Sequence, residues 1–332
     1  MQLPLLYPPR LCPGDTLGLA APASPPDKPE KIDLAIGHLT AQGFRVKPGK
    51  YLRKRDGYLA GSDEERAEDI NALFADPEVK GIFALRGGYG SCRILPLLDY
   101  AAIRANPKPF IGFSDITAMH LAILTKAGVV TFHGPDATKA FLPGNEETCR
   151  RMLTEGGRRI SSEVAAAVPS GGASLGGSRR PPGDGSEILF SREETSGTDL
   201  KTVVPGHVTG RLLGGNLTCL LRLIGTPYAP DFRGAILFLE DTSEKAYRID
   251  GMFTHLRLAG VLEQIGGLVL GRFDHTDTEE QGRIAACLQR EAGRVGVPCV
   301  SGAPIGHFAE QIIVPQGVQA ELDAAEGKLI LT

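Results

Sequence analysis

The sequence predicts an α/β fold with a parallel sheet in its first half and a second, smaller α/β unit after it. The first half alternates short apolar runs with amphipathic segments, as strands and helices do around a parallel sheet. A stretch rich in Gly, Ser and Pro, 170–185, has no apolar period and separates this half from a second series of strands and helices. The chain has 332 residues, enough for two domains of about 150 residues each.

The elements of the first half follow from the apolar runs and from the residues that end them. We predict strands at 16–21, 44–46, 81–85, 110–113 and 129–132. Helices are predicted at 29–42, at 62–75 and from residue 114 through 124. The helix at 62–75 has a clear start, because Ser62 can cap it and Glu65 lies three residues later, as a capping box requires. This order predicts a parallel sheet with helices on both faces, a Rossmann- or flavodoxin-like arrangement.

The second half predicts a smaller α/β domain. Its strands are expected at 235–239, 267–270 and 298–300, its helices at 216–224, 248–259 and 279–292. The chain ends in a predicted hairpin that turns at Glu326 and Gly327. We therefore expect an N-terminal domain at 1–158, a linker at 159–206 and a C-terminal domain at 207–332. The active site is expected at the interface of the two domains, where ligand pockets tend to lie.

Composition excludes several classes of function. The net charge of -3 and the pI of about 6.2 predict no nucleic-acid partner. No segment reaches the roughly 18 apolar residues of a membrane helix, and the first residues lack the basic start and apolar core of a signal peptide. The six cysteines are scattered without a CxxC pair, which predicts free thiols and no zinc cluster. We expect a cytoplasmic protein without a membrane partner.

The string FIGFSDIT, residues 110–117, places a serine directly after a buried strand. Gly112, Phe113 and Ser114 match the start of the G-x-S nucleophile elbow, in which a strained turn exposes a serine, but the closing glycine of that motif is missing. The same position suits a serine that caps the following helix. The residues alone therefore leave Ser114 as either a helix cap or a nucleophile.

A second candidate is the string LRGGYGS, residues 85–91, at the end of a predicted strand. The adjacent Gly87 and Gly88 let the backbone approach a ligand closely, and their N–H groups can point into a cleft. Arg86 can clamp a carboxylate with two hydrogen bonds. A tight turn with a surface arginine and a phosphate loop are the alternatives, although neither glycine pattern of a nucleotide loop is present.

Acidic and imidazole side chains end two later strands. Glu240 and Asp241 follow the apolar run of AILFLEDTSE, at the strand edge where α/β proteins place their sites. His307 lies in the Gly/Pro-rich loop SGAPIGHF, with His133 of FHGP as its competitor. A serine needs a base within hydrogen-bond reach, and the base needs an acceptor that fixes its tautomer. Ser114, His307 and Glu240 can fill these roles across the domain interface.

Several of these strings occur together, in order and at suitable distances. They are GDTLGLAAPAS (14–24), ALRGGYGS (84–91), PKPFIGFSDIT (107–117), FHGP (132–135), GGNLT (214–218), FLED (238–241) and the pair Gly306–His307. On these motifs the chain resembles the LD-carboxypeptidases, the serine peptidases that include muramoyltetrapeptide carboxypeptidase. The resemblance runs from about Arg10 to the C-terminus and omits only the Gly/Ser/Pro-rich stretch. The residue before the serine is commonly tyrosine in that family and is Phe113 here.

The resemblance implies a catalytic triad of Ser114, His307 and Glu240. It implies an oxyanion hole built from the backbone N–H groups of Asp115 and of Gly87 or Gly88. The substrate-binding residues are then Arg86, which would hold the terminal carboxylate, and Tyr89 beside it. The implied substrate is a murein tetrapeptide that loses its C-terminal D-alanine in cell-wall recycling, and the implied assembly is a homodimer without a metal or other cofactor.

Three other functions compete with this hypothesis. A peptidase like the microcin C immunity proteins of the same family would cleave an aminoacyl or peptidyl nucleotide, which needs an aromatic platform for its base. Phe190 is the only aromatic residue between 160 and 200. A non-enzymatic protein would capture a carboxylate through Arg86. A metal hydrolase would use Glu240, Asp241, Asp274 and His275, which lack a recognisable ligand spacing.

Overall fold

The computed structural model describes residues 3–154, 187–192 and 200–332. Strands in these ranges are β1 (Thr16–Ala20), β2 (Arg45–Pro48), β3 (Val79–Ala84), β4 (Phe110–Gly112), β5 (Phe132–His133), β6 (Glu187–Ser191), β7 (Lys201–Val204), β8 (His207–Asn216), β9 (Ile236–Thr242), β10 (Gly267–Asp274), β11 (Cys299–Ser301), β12 (Val314–Pro315), β13 (Gln319–Asp323) and β14 (Lys328–Leu331). Helices are α1 (Glu30–Ala41), α2 (Asp63–Ala75), α3 (Ser91–Ile94), α4 (Tyr100–Ala105), α5 (Thr117–Ala127), α6 (Glu146–Leu153), α7 (Leu217–Leu221), α8 (Ala246–Leu258) and α9 (Thr278–Val295).

The first sheet has the strand order β12-β5-β4-β3-β1-β2. Strands β1 to β5 are parallel, as the alternation of strands and helices predicts. Strand β12 comes from near the C-terminus and pairs antiparallel with β5, so that Val314 lies opposite His133. The predicted α/β class is confirmed, and one edge of the first sheet is supplied by the last part of the chain.

The second sheet has the order β6-β14-β13-β8-β9-β10-β11-β7. Its centre, from β8 to β11, is parallel. The remaining strands pair antiparallel on both sides, including the predicted C-terminal hairpin of β13 and β14. In the parallel centre, Glu240 of β9 pairs with Asn216 of β8. The Asn216 N–H donates to the hydroxyl of Thr117, the first residue of α5, and this bond places the carboxyl end of β9 near the serine turn.

The predicted start of α2 is confirmed in detail. The backbone N–H of Glu65 donates to the Ser62 hydroxyl at 3.2 Å, and the Ser62 N–H donates to the Glu65 carboxylate at 3.1 Å. Three acidic side chains in the first turn lie near the positive end of the helix dipole. A capping box predicts a helix start well because its two residues lie only three positions apart in the sequence.

Several predictions need correction. Strands β6 and β7 lie inside the predicted linker 159–206 and join the second sheet, pairing with β14 and β11. The first turn of the predicted helix from residue 114 is a 3-10 turn, and α5 begins at Thr117. The predicted strand at 129–132 is displaced to β5, and Val129 instead forms an isolated bridge with Leu6. The predicted loop at 170–185 lies outside the described residues.

Apolar cores join the two halves of the chain. One buried cluster contains Ile116 and Leu121 from the first half together with Leu217 and Leu220 from the second. Burial of about 25 cal/mol per Å² of apolar surface makes such shared packing a main source of stability. No helix within the described ranges combines the length and the apolar character that crossing a bilayer requires.

Candidate active site

Ser114 lies at the carboxyl end of β4, in the short turn that leads into α5. Its φ of 62° places a non-glycine residue in the left-handed region, which is costly for an L-residue and is typical of strained functional turns. The residue before the 3-10 turn is Phe113, so Ser114 does not occupy the cap position. The purely structural interpretation of Ser114 as a helix cap is therefore not supported, and its half-buried hydroxyl remains available at the sheet edge.

Gly87 packs directly against this turn. A Cβ at Gly87 would lie 3.0 Å from the Ser114 Cβ, 3.0 Å from the Phe113 carbonyl oxygen and 3.3 Å from the Asp115 nitrogen. Only a glycine permits this approach without displacing the serine. The predicted oxyanion donors at Gly87 and Asp115 are thus brought together on one side of Ser114.

The rest of the LRGGYGS loop is fixed from outside. Gly88 has a φ of 115°, and a Cβ there would meet the Ser24 hydroxyl at 2.5 Å. The Tyr89 N–H donates to the same hydroxyl at 3.1 Å. Arg66, fully buried in α2, donates to the Gly90 carbonyl at 2.9 Å and also to the Pro22 carbonyl. These bonds hold the predicted substrate loop rigidly beside Ser114.

His307 and Glu240 form a close pair. The His307 Nδ1 lies 2.7 Å from the Glu240 Oε2, and Glu240 is fully buried at the end of β9. The ionised carboxylate is an acceptor, so the pair fixes the imidazole proton on Nδ1 and leaves Nε2 as the basic nitrogen. Gly306 allows this contact, because its φ is 132° and a Cβ there would lie 3.3 Å from the same carboxylate oxygen.

Burial and charge shift both members of this pair. Burial lowers the pKa of His307, but the hydrogen bond and the negative charge of Glu240 outweigh it, so that the pKa of His307 lies above its ordinary value. Burial raises the pKa of Glu240, and the hydrogen bond from His307 opposes that shift. The imidazole is therefore a stronger base than an isolated buried histidine.

Phe113 connects this pair to Ser114. The rings of Phe113 and His307 lie 4.9 Å apart between centroids, and Phe113 directly precedes the serine. The loop that carries His307 is held by two bonds to the region around α6. Its Gln311 N–H donates to the Asn145 side-chain oxygen at 2.9 Å, and its Ile313 N–H donates to the Thr148 hydroxyl at 3.0 Å. The structure thus brings the three predicted triad residues to one region.

His133, the competing candidate base, lies fully buried between rings. Its ring centroid is 5.4 Å from that of Phe238 and 6.2 Å from that of His120. Burial lowers the pKa of His133 well below its ordinary value. His120 lies below the serine turn and donates from Nε2 to the Gly112 carbonyl at 2.8 Å, with burial lowering its pKa to about 4. Both imidazoles are neutral packing residues, which favours His307 as the base.

Asp241 and Asp115 are committed to structural bonds. The Asp241 carboxylate accepts from the Asn216 amide at 3.0 Å, from the Thr218 N–H at 2.9 Å and from the Thr218 hydroxyl at 2.8 Å. The buried Asp115 carboxylate accepts from the Ser91 N–H at 2.8 Å and pairs with Arg222 at 3.0 Å. Of these contacts, the pair of Asp115 and Arg222 joins the two halves of the chain, and the bonds occupy both carboxylates.

The metal-hydrolase hypothesis finds no support in these contacts. Within residues 3–154, 187–192 and 200–332, the His, Cys, Asp and Glu side chains form no group of three or more placed to hold a metal ion. The His275 Nδ1 accepts from the Asp277 N–H at 3.0 Å, in the turn before α9. His275 is therefore part of the helix start.

Besides Arg222, two basic side chains lie near the site, Arg86 and Lys139, and the motif analysis identified Arg86. Arg86 is half-buried and donates to the Pro25 carbonyl at 3.3 Å. Lys139 was missed. Its ammonium lies 5.2 Å from the centre of the Phe113 ring. The sequence offered only a weak indication of Lys139, a lysine shortly after FHGP in a segment without an apolar period. Lysines in such segments are usually charged surface residues.

An exposed aromatic pair includes Tyr89 of the LRGGYGS loop. The rings of Tyr58 and Tyr89 meet edge to face at 5.6 Å, and both are largely exposed. The Arg222 guanidinium lies 5.5 Å from the Tyr89 ring. Phe190, the aromatic residue considered as a base platform, is instead buried in β6.

Comparisons with known proteins agree with the fold and the motifs. The family model described as the LD-carboxypeptidase N-terminal domain matches residues 17–134, and that of the C-terminal domain matches residues 209–322. A probable murein peptide carboxypeptidase of Bacillus subtilis (strain 168) is 36% identical over 96% of this chain and 92% of its own length.

Solved structures cover almost the whole chain. Muramoyltetrapeptide carboxypeptidase from Oxalobacter formigenes matches with a TM-score of 0.74 at 30% identity, over 95% of this chain and 97% of that one. The microcin C7 self-immunity protein MccF, known from Escherichia coli, matches with a TM-score of 0.79 at 26% identity in its complex with glutamyl sulfamoyl guanosine, over 99% of this chain and 98% of that one.

Proposed function

The chain belongs to the LD-carboxypeptidase family, and we propose that it is a serine carboxypeptidase that releases the C-terminal D-alanine of murein tetrapeptides in cell-wall recycling. The observation that carries the proposal is the pair of Glu240 and His307 at 2.7 Å, packed through Phe113 against the strained turn at Ser114. A base oriented by a buried carboxylate beside a half-buried hydroxyl in a strained turn is the arrangement that nucleophilic acyl transfer requires.

In the first step, the Nε2 of His307 takes the proton of the Ser114 hydroxyl while the serine oxygen attacks the carbonyl carbon before the terminal D-residue. The Nδ1–H stays hydrogen-bonded to Glu240, whose charge stabilises the imidazolium that forms. The oxyanion receives hydrogen bonds from the N–H groups of Asp115 and of Gly87 or Gly88. One such donor contributes about 3 kcal/mol in comparable enzymes.

In the second step, the imidazolium gives its proton to the leaving amine, and D-alanine departs. Water then attacks the acyl-enzyme with His307 again as the base, which releases the shortened peptide and restores Ser114. Arg86 holds the terminal carboxylate, and Tyr89 borders the peptide at the mouth of the site. The reaction uses no metal or other cofactor.

We further propose the setting in which this reaction occurs. The protein is a cytoplasmic homodimer, with the nucleophile on a domain at 1–158 and the remaining triad residues on a domain at 207–332. Contacts such as the hydrogen bond from the Asn216 N–H to the Thr117 hydroxyl at 3.0 Å support a site built from both. Substrate reaching such an interface is enclosed on two sides, which favours water exclusion.

The test is D-alanine release from a defined murein tetrapeptide. Ser114→Ala should reduce turnover by at least about 1,000-fold, as expected for loss of a nucleophile, with an unchanged thermal midpoint. A fluorophosphonate probe should label the wild-type protein and not Ser114→Ala. Undiminished turnover in the variant would refute the serine mechanism, and a wild-type protein inert to both peptide and probe would favour a carboxylate-binding protein.

A second candidate is cleavage of an aminoacyl or peptidyl nucleotide. The exposed pair of Tyr58 and Tyr89 favours it, because such rings can stack on a nucleobase. The two functions separate in one comparison of hydrolysis rates, on the tetrapeptide and on an aminoacyl sulfamoyl adenylate. A preference for the nucleotide of more than about tenfold, or 1.4 kcal/mol, would replace the first proposal with the second.

A further inference from the structure

Lys139 is a basic residue beside the candidate active site that the mechanism above leaves unused. It lies in a turn after β5 that Asp136 organises. The N–H groups of Lys139 and Ala140 donate to the Asp136 carbonyl at 2.9 and 2.8 Å, and the Thr138 N–H donates to the Asp136 carboxylate at 3.0 Å. The turn therefore holds the Lys139 backbone in one place, and only its side chain is adjustable.

This turn packs against the loop that carries His307. Asn145 joins them, because its amide donates to the Lys139 carbonyl at 3.2 Å and its side-chain oxygen accepts from the Gln311 N–H at 2.9 Å. The Lys139 ammonium lies over the Phe113 ring at 5.2 Å, and the same ring is 4.9 Å from the His307 imidazole. The ammonium is thus placed at the edge of the site where Ser114 and His307 meet the substrate.

The charge of Lys139 acts on this site. Its positive charge lowers the pKa of His307, against the stronger opposite effect of Glu240, and it lowers the pKa of Asp136. In the part of the chain that the structure describes, Lys139 forms no ion pair and contacts a ring instead. A half-buried ammonium without a carboxylate partner at a reactive centre is suited to bind a substrate carboxylate.

Arg86 is not fully available to bind a substrate carboxylate. One of its guanidinium nitrogens donates to the Pro25 carbonyl, and its charge acts on the buried Asp136 carboxylate. Arg86 and Lys139 both act on Asp136, so the three groups carry a net charge of about one positive unit when all are ionised. An anionic ligand at this position neutralises that charge.

We propose that Lys139 binds the terminal carboxylate of the substrate and, with Arg86, makes the enzyme select peptides that end in a free carboxyl group. This inference rests on the proposed carboxypeptidase function. It adds to that function a specificity residue that distinguishes removal of one terminal residue from cleavage of an internal peptide bond, where no carboxylate is available at this position.

The experiment compares two peptides that differ only at the terminus. One is the murein tetrapeptide with a free D-alanine carboxylate, and the other carries D-alanine amide at the same position. Lys139→Met removes the charge and keeps the length of the side chain, whereas Lys139→Arg keeps the charge. Lys126→Met is the matched control, because the Lys126 ammonium also lies over an aromatic ring, that of Tyr228 at 5.4 Å. Lys126 is in the last turn of α5, at the end opposite to the Ser114 turn.

We expect Lys139→Met to lower kcat/KM for the acid by about 10- to 150-fold, the range of a hydrogen bond to a charged group, and to change kcat/KM for the amide by less than about threefold. The ratio of kcat/KM for the acid to kcat/KM for the amide therefore falls in Lys139→Met. It should stay close to the wild-type ratio in Lys139→Arg and equal to it in Lys126→Met. An unchanged ratio in Lys139→Met, or equal losses on both peptides, would overturn the inference and leave the proposed function intact. Failure of the wild-type protein to release D-alanine or its amide would overturn both.

The pH profile gives a second readout that a structural role would not produce. Glu240 and Asp241 raise the pKa of His307, whereas Lys139 lowers it and the neutral His133 lies nearby. Removing the ammonium should therefore move the acid limb of the kcat/KM profile on the amide peptide to higher pH. An acid limb that stays in place or moves to lower pH in Lys139→Met would contradict the position we assign to this charge.

Discussion

Replacing Glu240 with Gln tests the pair on which the proposed mechanism depends. The substitution keeps the size of the side chain and removes a charge that is fully buried and 2.7 Å from the His307 Nδ1. A hydrogen bond to a charged group is worth about 1.5–3 kcal/mol, which corresponds to a loss of about 10- to 150-fold. A glutamine that presents its NH₂ group to Nδ1 would also force the imidazole proton onto Nε2, and the wrong tautomer costs about 10⁴ in a comparable triad.

We therefore expect Glu240→Gln to lower kcat/KM by about 10²- to 10⁴-fold. The sign of the pH effect follows from the two opposing causes at His307. Glu240 raises the pKa of the imidazole and burial lowers it, so that burial dominates once the charge is gone. The base then stays neutral to lower pH, and the acid limb of the residual activity should move down in pH.

The assay is D-alanine release by wild type and Glu240→Gln between pH 5 and 9, with the oxidation of D-alanine as the readout. Thermal unfolding at pH 7 serves as the control, because loss of the fold would also abolish activity. A variant that retains activity within about threefold of the wild type, or whose acid limb moves to higher pH, would refute the proposed role of Glu240. That role is to orient the His307 imidazole and to raise its pKa.

Two further predictions concern the surroundings of Ser114. Gly87→Ala keeps the backbone N–H, but its Cβ would lie 3.0 Å from the Ser114 Cβ and would displace the serine turn from the donors. We expect kcat/KM to fall by at least about 100-fold, as much as the loss of one oxyanion donor costs. Kinetics together with thermal unfolding test this prediction, and full activity would contradict the close packing of Gly87 on the reacting groups. Burial lowers the pKa of His120 to about 4, so the folded state resists its protonation and loses about 3 kcal/mol of stability as pH falls from about 6.5 toward 4. Urea unfolding at pH 7 and at pH 4.5 tests this prediction. Between these two pH values the free energy of unfolding of His120→Gln should fall less than that of the wild type, and an equal fall would contradict His120 as a source of acid sensitivity.

The parts of the fold that sequence predicted are those with local signals. The capping box at Ser62 needs only residues three apart, and it fixed the start of α2 correctly. The apolar run that ends at Glu240 predicted β9 because a strand buried on both faces reads as a continuous apolar segment. Strands β6 and β7 carried no such signal, since they gain their partners β14 and β11 only from distant parts of the chain.

The candidate site likewise has features with local sequence signals and features that only the fold creates. Ser114, Glu240 and His307 stand at strand ends or in a Gly/Pro-rich loop, where sequence can indicate chemistry, yet only the fold brings Phe113 between the serine turn and the imidazole. Local sequence left Ser114 as either a helix cap or a nucleophile, whereas its φ of 62° is a property of the folded turn. Lys139 could not be singled out, because its position depends on the bonds of Asn145 to a loop far along the chain.

The antiparallel edge strand β12 has a consequence for biosynthesis. The first sheet, whose other strands all lie before residue 134, gains this strand from Val314 and Pro315. His307 also emerges from the ribosome late, long after Ser114. Pairing of such distant segments is slow because a long loop must close first. Under the proposed mechanism, Ser114 is therefore synthesised long before its base, and hydrolytic activity can arise only after His307 and β12 have been made.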